Sequence, residues 1–157
     1  MTFAGQVPGP MIRVRQGDTV SLTLESPPDN KLPHNVDFRA IYGTGGGSVA
    51  TTVALGEQNA VRFKMMYPGA FIYHCAVANL DYHIPSGMFG MILVEPKDGL
   101  PRVDEEVYLG QHEVYTDKAV GEKGHHNFSL EGMKAEEPTY VLFNGEKYPF
   151  TPDHTGR

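Results

Sequence analysis

The stretch HCAVANLDYHIPSGMFG, residues 74–90, decides which fold this chain is expected to adopt. It carries Cys75, His83 and Met88 in the spacing C-x7-H-x4-M, between the apolar runs FIYHC and FGMILV, which are typical of strands. A loop of this length folds back between two strands, so that a thiolate, an imidazole and a thioether converge on one point. We therefore interpret the stretch as a ligand loop held by a β-sheet.

A second imidazole is needed to complete a metal centre, and His34 in LPHNVDF, just before an upstream strand, is the natural candidate. Two imidazoles and a thiolate in a trigonal arrangement, with a weak axial methionine, form the donor set of a type 1 copper centre. Taken singly, each residue has an ordinary alternative, which is a solvated histidine, a packed cysteine or a core methionine. Their joint occurrence favours ligation, so the sequence predicts one copper ion per chain at His34, Cys75, His83 and Met88.

Short alternating strands extend from the ligand loop in both directions along the chain. Residues 11–24 alternate apolar and polar side chains on both sides of a Gly17-Asp18 turn, and residues 60–65 alternate in the same way. The many glycines and prolines supply turns, which favours short strands over helix bundles. We predict an all-β chain, a Greek-key sandwich or barrel. Residues 43–47, rich in glycine, are expected to form a flexible loop without a helix.

After Pro96 the sequence becomes more polar and its apolar residues lose their regular spacing. We therefore divide the chain into a core domain at residues 1–97 and a C-terminal arm at residues 98–157. One or two strands are expected within residues 103–116 and a last strand at 139–145, with a loop or short helix between them and an exposed tail at the end. Because isolated strands are unstable, we expect the arm to pack on the edge of the core sheet or on a neighbouring subunit.

Composition excludes several classes of partner. Thirteen basic and nineteen acidic residues give a net charge of −6, which does not suit binding to nucleic acid or to an anionic membrane. No apolar run approaches the roughly 20 residues that a membrane-spanning helix needs. Residues 1–15 lack the apolar stretch of a signal peptide, so any export leader is expected to have been removed. A single cysteine excludes an internal disulfide.

Four stretches together closely resemble the first domain of the copper-containing nitrite reductases, members of the multicopper cupredoxin family: VPGPMIRVRQGDTV at 7–20, LPHNVDF at 32–38, PGAFIYHCAVA at 68–78 and SGMFGMILVEPKDGLP at 86–101. The resemblance implies a cupredoxin fold and makes the four residues predicted above the type 1 ligands. It also implies that Asp37 is an active-site aspartate that orients substrate and relays protons. His74 matches a ligand of a second, type 2 copper.

Two departures from the family pattern concern that type 2 copper. The family has a histidine two residues after the aspartate, where this chain has Arg39, and a guanidinium has no free lone pair to donate to a metal. The family takes another type 2 histidine from a second domain, which this chain is expected to lack. A third departure is the polar segment Asn79-Leu80-Asp81-Tyr82 in the ligand loop, which is expected to leave the copper more open to water or a small ligand.

The resemblance implies nitrogen oxide metabolism, a periplasmic or extracytoplasmic location and a homotrimer. Three functions stay open. The first is one-electron transfer with a redox partner protein through His83, expected near the surface. The alternative is an oxidoreductase acting on a small nitrogen oxide at the type 1 copper, for example oxidising nitric oxide to nitrite. The third, a degenerate structural or copper-storage domain, is disfavoured because all four ligands are retained. Conventional nitrite reduction is not expected.

The remaining histidines carry less weight for function. His112 lies in an expected strand, where it is interpreted as capping a polar face, although it is also a candidate replacement ligand. His125, His126 and His154 lie in polar, irregular sequence and are expected to be ordinary surface residues.

Overall fold

The computed structural model describes residues 1–42 and 44–150, so the predicted tail at 151–157, with His154, lies outside the described part of the chain. Its strands are β1 (Ile12–Arg15), β2 (Thr19–Glu25), β3 (Asp37–Phe38), β4 (Gln58–Lys64), β5 (Gly69–His74), β6 (Phe89–Glu95), β7 (Gln111–Val114) and β8 (Tyr140–Phe143). Three short helices are α1 (Ser48–Thr51), α2 (Leu80–His83) and α3 (Leu130–Lys134). Within the described ranges no helix is long and apolar enough to cross a membrane.

Two sheets build the N-terminal part of the molecule. The first has the strand order β1-β6-β5-β3, in which β1 runs parallel to β6 and the other neighbours are antiparallel. The second is the antiparallel pair β2–β4. Side chains of β2 and β4 alternate between exposed and half-buried, as the sequence pattern predicts for strands with one face toward a core.

The core lies between these two sheets. Phe38, Tyr73, Ile92 and Val94 are buried on the inner face of the first sheet, and half-buried side chains of the second sheet, including Phe63, pack against them. Burying side chains of this size stabilises the fold by about 1.5–3 kcal/mol each, before the loss of chain entropy is counted. The prediction of an all-β sandwich is confirmed.

The glycine-rich segment is more ordered than its composition predicts. Thr44–Gly47 form a 3-10 turn that leads directly into α1, so the expectation of a loop without a helix is wrong there. Gly45 and Gly46 have φ values of 59° and 53° within this turn. Such left-handed angles are accessible to glycine at little cost, so the glycines set a tight turn rather than a flexible loop.

The arm carries its own small sheet. β7 and β8 pair antiparallel with each other, and α3 lies between them in the chain. One of the two expectations, that the arm strands extend the edge of the core sheet, is therefore wrong. Each of these strands pairs with the other strand of the arm. The arm contacts the core through His112, whose ring packs edge-on against Phe89 at 5.3 Å between centroids.

Candidate metal centre

The ligand loop runs from the end of β5 to the start of β6 and closes on itself through backbone hydrogen bonds. The amide of Cys75 donates to the carbonyl of Met88 at 3.0 Å, and the amide of Met88 donates to the carbonyl of His83 at 3.2 Å. Between them, α2 forms one helical turn that ends at His83. The three loop residues predicted as ligands are thus brought together by the β5–β6 pairing and by the turn that joins the two strands.

His34 reaches the loop from the other side of the domain. It forms a β-bridge with Val53, in which each amide donates to the other residue's carbonyl, at 3.1 and 2.9 Å. The next residue, Asn35, accepts a hydrogen bond from the amide of Ala76 through Oδ1 at 2.7 Å. This side-chain bond ties the His34 segment to the residue after Cys75.

Three of the four predicted ligands, His34, Cys75 and His83, meet at one buried point. Nδ1 of His34 lies 3.8 Å from Sγ of Cys75, and Nδ1 of His83 lies 3.4 Å from the same sulfur. The ligand atoms of these three residues all fall within 4.8 Å of one another. Met88 is buried, with 3% of its surface exposed, and its backbone is hydrogen-bonded to both Cys75 and His83. The geometry therefore matches the predicted cluster of two histidines and a cysteine, and the backbone contacts place the predicted methionine next to it in the loop.

The electrostatics of the cluster suit a soft metal ion. Burial lowers the pKa of His34, and the neighbouring His83 lowers it further. Burial also lowers the pKa of His83. Both imidazoles are therefore neutral at pH 7, so Nδ1 of each can present a lone pair toward the sulfur. Two neutral imidazoles, one cysteine and one thioether are the donors that type 1 copper takes, so these residues fit the ion.

Two of the predicted ligands, Cys75 and His83, are closed to solvent, which differs from two expectations, whereas His34 and Met88 line a cavity of about 310 Å³. Cys75 is 0% and His83 1% exposed, so His83 does not lie at the surface and the polar loop does not open the site. The reason is local structure. The segment 79–82 folds into the start of α2, with Asn79 in a left-handed conformation (φ 69°) at its beginning, and it covers His83 instead of leaving it bare.

His74, next to Cys75 in the chain, lies in a second and different cluster. Its Nδ1 donates to the carbonyl of Cys75 at 3.0 Å, which fixes the tautomer and leaves Nε2 as an acceptor. Nη2 of Arg39 lies 3.3 Å from that Nε2 and donates to it. Oδ2 of Asp37 lies 3.8 Å from both Nε2 of His74 and Nε of Arg39.

Asp37 sits against the glycine-rich turn. Its Oδ1 is buried and has no hydrogen-bond partner among the described residues. A Cβ placed on Gly46 would overlap this oxygen and would lie 2.7 Å from the carbonyl oxygen of Phe38. The turn therefore holds one carboxylate oxygen away from solvent and leaves the other to face Arg39 and His74.

The other histidines of the described ranges, His112, His125 and His126, lie apart from the predicted copper ligands. His112 packs on Phe89, and both of its ring nitrogens are buried without a partner in the described ranges, so it does not cap a polar face as predicted. Burial lowers its pKa. His126 is tied to the backbone carbonyl of Glu122 at 2.8 Å, and His125 is exposed.

Sequence reasoning missed two contributors to the site. The bridging role of Asn35 has a weak signal, since an amide directly after a predicted ligand can bond to a neighbouring loop. The contact of Arg39 with His74 has no signal in the sequence. Comparison with the family pattern shows that a histidine ligand is replaced by Arg39, but it does not show which residue the arginine side chain contacts.

Comparisons with known proteins agree with the site. The multicopper oxidase family matches residues 1–99. The copper-containing nitrite reductase of Neisseria meningitidis serogroup B is 51% identical over 144 residues, which make up 92% of this chain and 37% of that protein. The copper-containing nitrite reductase of Neorhizobium galegae is 41% identical over 170 residues, covering 98% and 45% of the two chains. The solved copper nitrite reductase from Nitrosomonas europaea superposes with a TM-score of 0.82 at 35% identity, covering 98% of this chain and 51% of that one.

This chain spans about half of the length of these relatives or less, and it matches them with a single cupredoxin-type domain. The family match covers more than half of the chain and includes all four clustered side chains. The chain belongs to the multicopper oxidase family, a copper-containing family, and its His34, Cys75, His83 and Met88 form a site suited to type 1 copper.

Proposed function

We propose that this chain is a mononuclear type 1 copper redox protein that transfers single electrons and has no type 2 copper. The observation that carries the proposal is the convergence of two neutral Nδ1 atoms on Sγ of Cys75, at 3.8 and 3.4 Å, in a buried pocket. Bound there, copper supplies one-electron redox chemistry. The chain's own contribution is to hold the donors in place and to exclude water.

Burial of the ligands favours electron transfer over chemistry on a small molecule. A molecule that reacts at the metal needs an open coordination position, whereas Cys75 and His83 are almost fully enclosed. The loop that carries them is fixed at both ends by β5 and β6. A rigid, closed donor set changes little when an electron arrives or leaves, which suits a carrier whose partner is another redox protein.

The absence of a type 2 copper is supported by the cluster around His74. A metal would need the Nε2 lone pair of His74, and Arg39 already occupies it with a hydrogen bond at 3.3 Å. The positive guanidinium also repels a cation at that position. A single histidine beside an arginine does not make an open metal site, because catalytic sites use about three protein ligands. We therefore propose that nitrite is not reduced here in the manner suggested by the relatives' names.

Oxidation of nitric oxide at the type 1 copper is the alternative that the experiment must address. The protein is loaded with copper, dialysed exhaustively, and its metal content and visible and EPR spectra are recorded. It is then titrated with nitric oxide and with nitrite, and nitrite consumption is followed with a strong reductant. We expect one copper per chain, an intense thiolate-to-copper band, no spectral change with either molecule and no nitrite turnover.

Two results would contradict the proposal in different ways. A second tightly bound copper together with nitrite turnover would mean that another residue completes a type 2 site. A change of the visible band on addition of nitric oxide, with formation of nitrite, would mean that the type 1 copper itself is the reaction site. Failure to bind copper at all would refute the metal assignment.

The division of the chain, its assembly and its location are further parts of the proposal. We assign residues 1–97 to the copper domain and 98–157 to the arm, and we propose a homotrimer in a periplasmic or extracytoplasmic setting. Support for assembly comes from apolar side chains on the surface, including Ile72 on the first sheet, which is 59% exposed. Sedimentation showing a monomer at micromolar concentration would contradict the trimer.

A further inference from the structure

The outer side of the ligand loop is covered by two aromatic rings in series. The ring of Tyr82 packs edge-on against His83, with centroids 6.2 Å apart and an interplanar angle of 83°. The same ring packs edge-on against Phe128, at 5.8 Å and 69°. Tyr82 belongs to the polar loop segment that departs from the family pattern, whereas Phe128 belongs to the arm.

Phe128 is held in place by the backbone of the arm. It forms an antiparallel bridge with Thr116, and the amide of Ser129 donates to the carbonyl of Tyr115 at 3.0 Å. One residue earlier, Asn127 bonds through its backbone amide and its side chain to the carboxylate of Asp117, at 2.8 and 2.7 Å. These bonds fasten the segment around Phe128 to the chain that follows β7, so the ring presents a fixed surface to the loop.

Tyr82 has room to move when this surface is absent. A cavity of about 370 Å³ lies between the ligand loop and the arm, and Tyr82, Ser86 and Phe128 are among its lining residues. Tyr82 is 43% exposed, so the loop's own residues do not enclose its side chain. Contact with Phe128 is therefore a restraint on the Tyr82 ring that comes from outside the loop.

We propose that Phe128 is a positioning residue for the copper ligand His83 and acts through Tyr82. This inference rests on the proposed function, because it concerns the ligand set of the type 1 site. In this proposal the arm contributes to the metal centre. Tyr82 of the polar loop segment shields His83 from water, and Phe128 of the arm holds the Tyr82 ring in position.

The test compares three variants of the full chain loaded with copper. In Phe128→Leu the apolar volume is largely kept while the ring edge is lost, so Tyr82 loses its restraint. We expect the affinity for copper, measured by competition with a chelator, to fall by about 10-fold, the lower end for residues that orient a ligand. We also expect the thiolate-to-copper band and the EPR copper hyperfine splitting to shift. Phe128→Tyr restores the ring and is expected to restore both readouts.

The third variant controls for a general weakening of the arm. Phe150→Leu removes one ring of the edge-on pair that Phe150 makes with Phe143, at 5.6 Å, elsewhere in the arm. It is expected to leave the band and the copper affinity unchanged. The unfolding temperature of each metal-free variant separates loss of fold from loss of positioning.

Unchanged spectrum and affinity in Phe128→Leu would overturn the proposal, as would equal changes in Phe128→Leu and Phe150→Leu. The double variant Tyr82→Leu with Phe128→Leu adds a further check. If Phe128 acts through Tyr82, its loss has little further effect once Tyr82 is gone, whereas additive effects would show that it acts by another route. A wild-type chain that binds no copper would instead refute the proposed function itself.

Discussion

Two consecutive residues, His74 and Cys75, lie in two clusters of opposite character. The sulfur of Cys75 faces the Nδ1 atoms of two imidazoles. The predicted ligands at this point include no carboxylate and no guanidinium. His74 faces Asp37 and Arg39, and its free nitrogen already accepts a hydrogen bond from the guanidinium. Successive side chains of an extended chain point to opposite faces, so one strand end serves both clusters.

The difference teaches that a histidine in a ligand position is not yet a ligand. Both clusters contain a buried imidazole held by backbone contacts, although Arg39 in the second cluster is exposed. They differ in what occupies the lone pair that a metal would use. In one cluster it points at a thiol, and in the other an arginine, which also lies 3.8 Å from the carboxylate of Asp37, donates to it.

The largest difference between the two clusters is expected from substitutions at the adjacent residues Cys75 and His74. Cys75→Ser is expected to abolish the visible band, because a hydroxyl is a poor substitute for a thiolate. Its affinity for Cu(II) is expected to fall by more than roughly 100-fold, which is the largest loss typical of substitutions at residues that only support the ligands. His74→Asn, one residue away, is expected to keep the band and one copper per chain. Metal analysis and absorption spectra after dialysis measure both. A coloured Cys75→Ser protein would sink the ligand assignment.

A smaller effect is expected from filling the space behind Asp37. In Gly46→Ala the new Cβ overlaps Oδ1 of Asp37 and the residue must hold a φ of 53°, so we expect a loss of roughly 2–4 kcal/mol in the free energy of unfolding. The matched control is Gly17→Ala, where φ is 98° and nothing lies within 4 Å of the added Cβ. Urea denaturation of both variants separates overlap from backbone strain.

The visible copper band of the folded Gly46→Ala protein tests whether the Asp37 cluster affects the Cys75 cluster. Because the two clusters lie on opposite sides of the strand end, we expect this band to match that of the wild type. A folded variant with an altered band would show that the Asp37 side is coupled to the Cys75 side.

The smallest expected effect sharpens the role of Arg39. Arg39→His places a second imidazole beside His74 and Asp37, and it is expected to bind a second Cu(II) at least about 10-fold more tightly than the control Arg39→Leu, a difference of about 1.4 kcal/mol. The control removes the guanidinium without adding a ligand. Calorimetric titration of the chain already loaded with one copper measures both. Equal affinity in the two variants would mean that the added imidazole does not bind the metal.

The ligand set and most strands could be predicted because they depend on local patterns. Spacing of Cys75, His83 and Met88 determines how a loop between two strands converges, and alternation of apolar residues determines which strand faces turn inward. The fold class followed from the same patterns.

The features that escaped prediction depend on contacts between distant segments. The cover over His83 combines the local turn of α2 with a ring contact between Tyr82 and Phe128, which lies far along the chain from Tyr82. The pairing of β7 with β8 required a choice among several possible edges, which strand patterns do not specify. The glycine turn was misjudged because composition gives flexibility in the unfolded chain, whereas left-handed angles fix a turn in the folded one.

The β5–β6 hairpin has a consequence for the order in which the molecule assembles. It brings three of the four ligands together within residues 75–88, while His34 arrives from a remote segment and β1 joins β6 through a parallel pairing that runs from Ile12 with Ile92 to Arg15 with Glu95. Hairpins form in about 1–10 μs, and pairings between distant segments are slower. A copper ion present during folding therefore meets Cys75, His83 and Met88 before the sheet is complete, and it can act as a nucleus onto which His34 docks last.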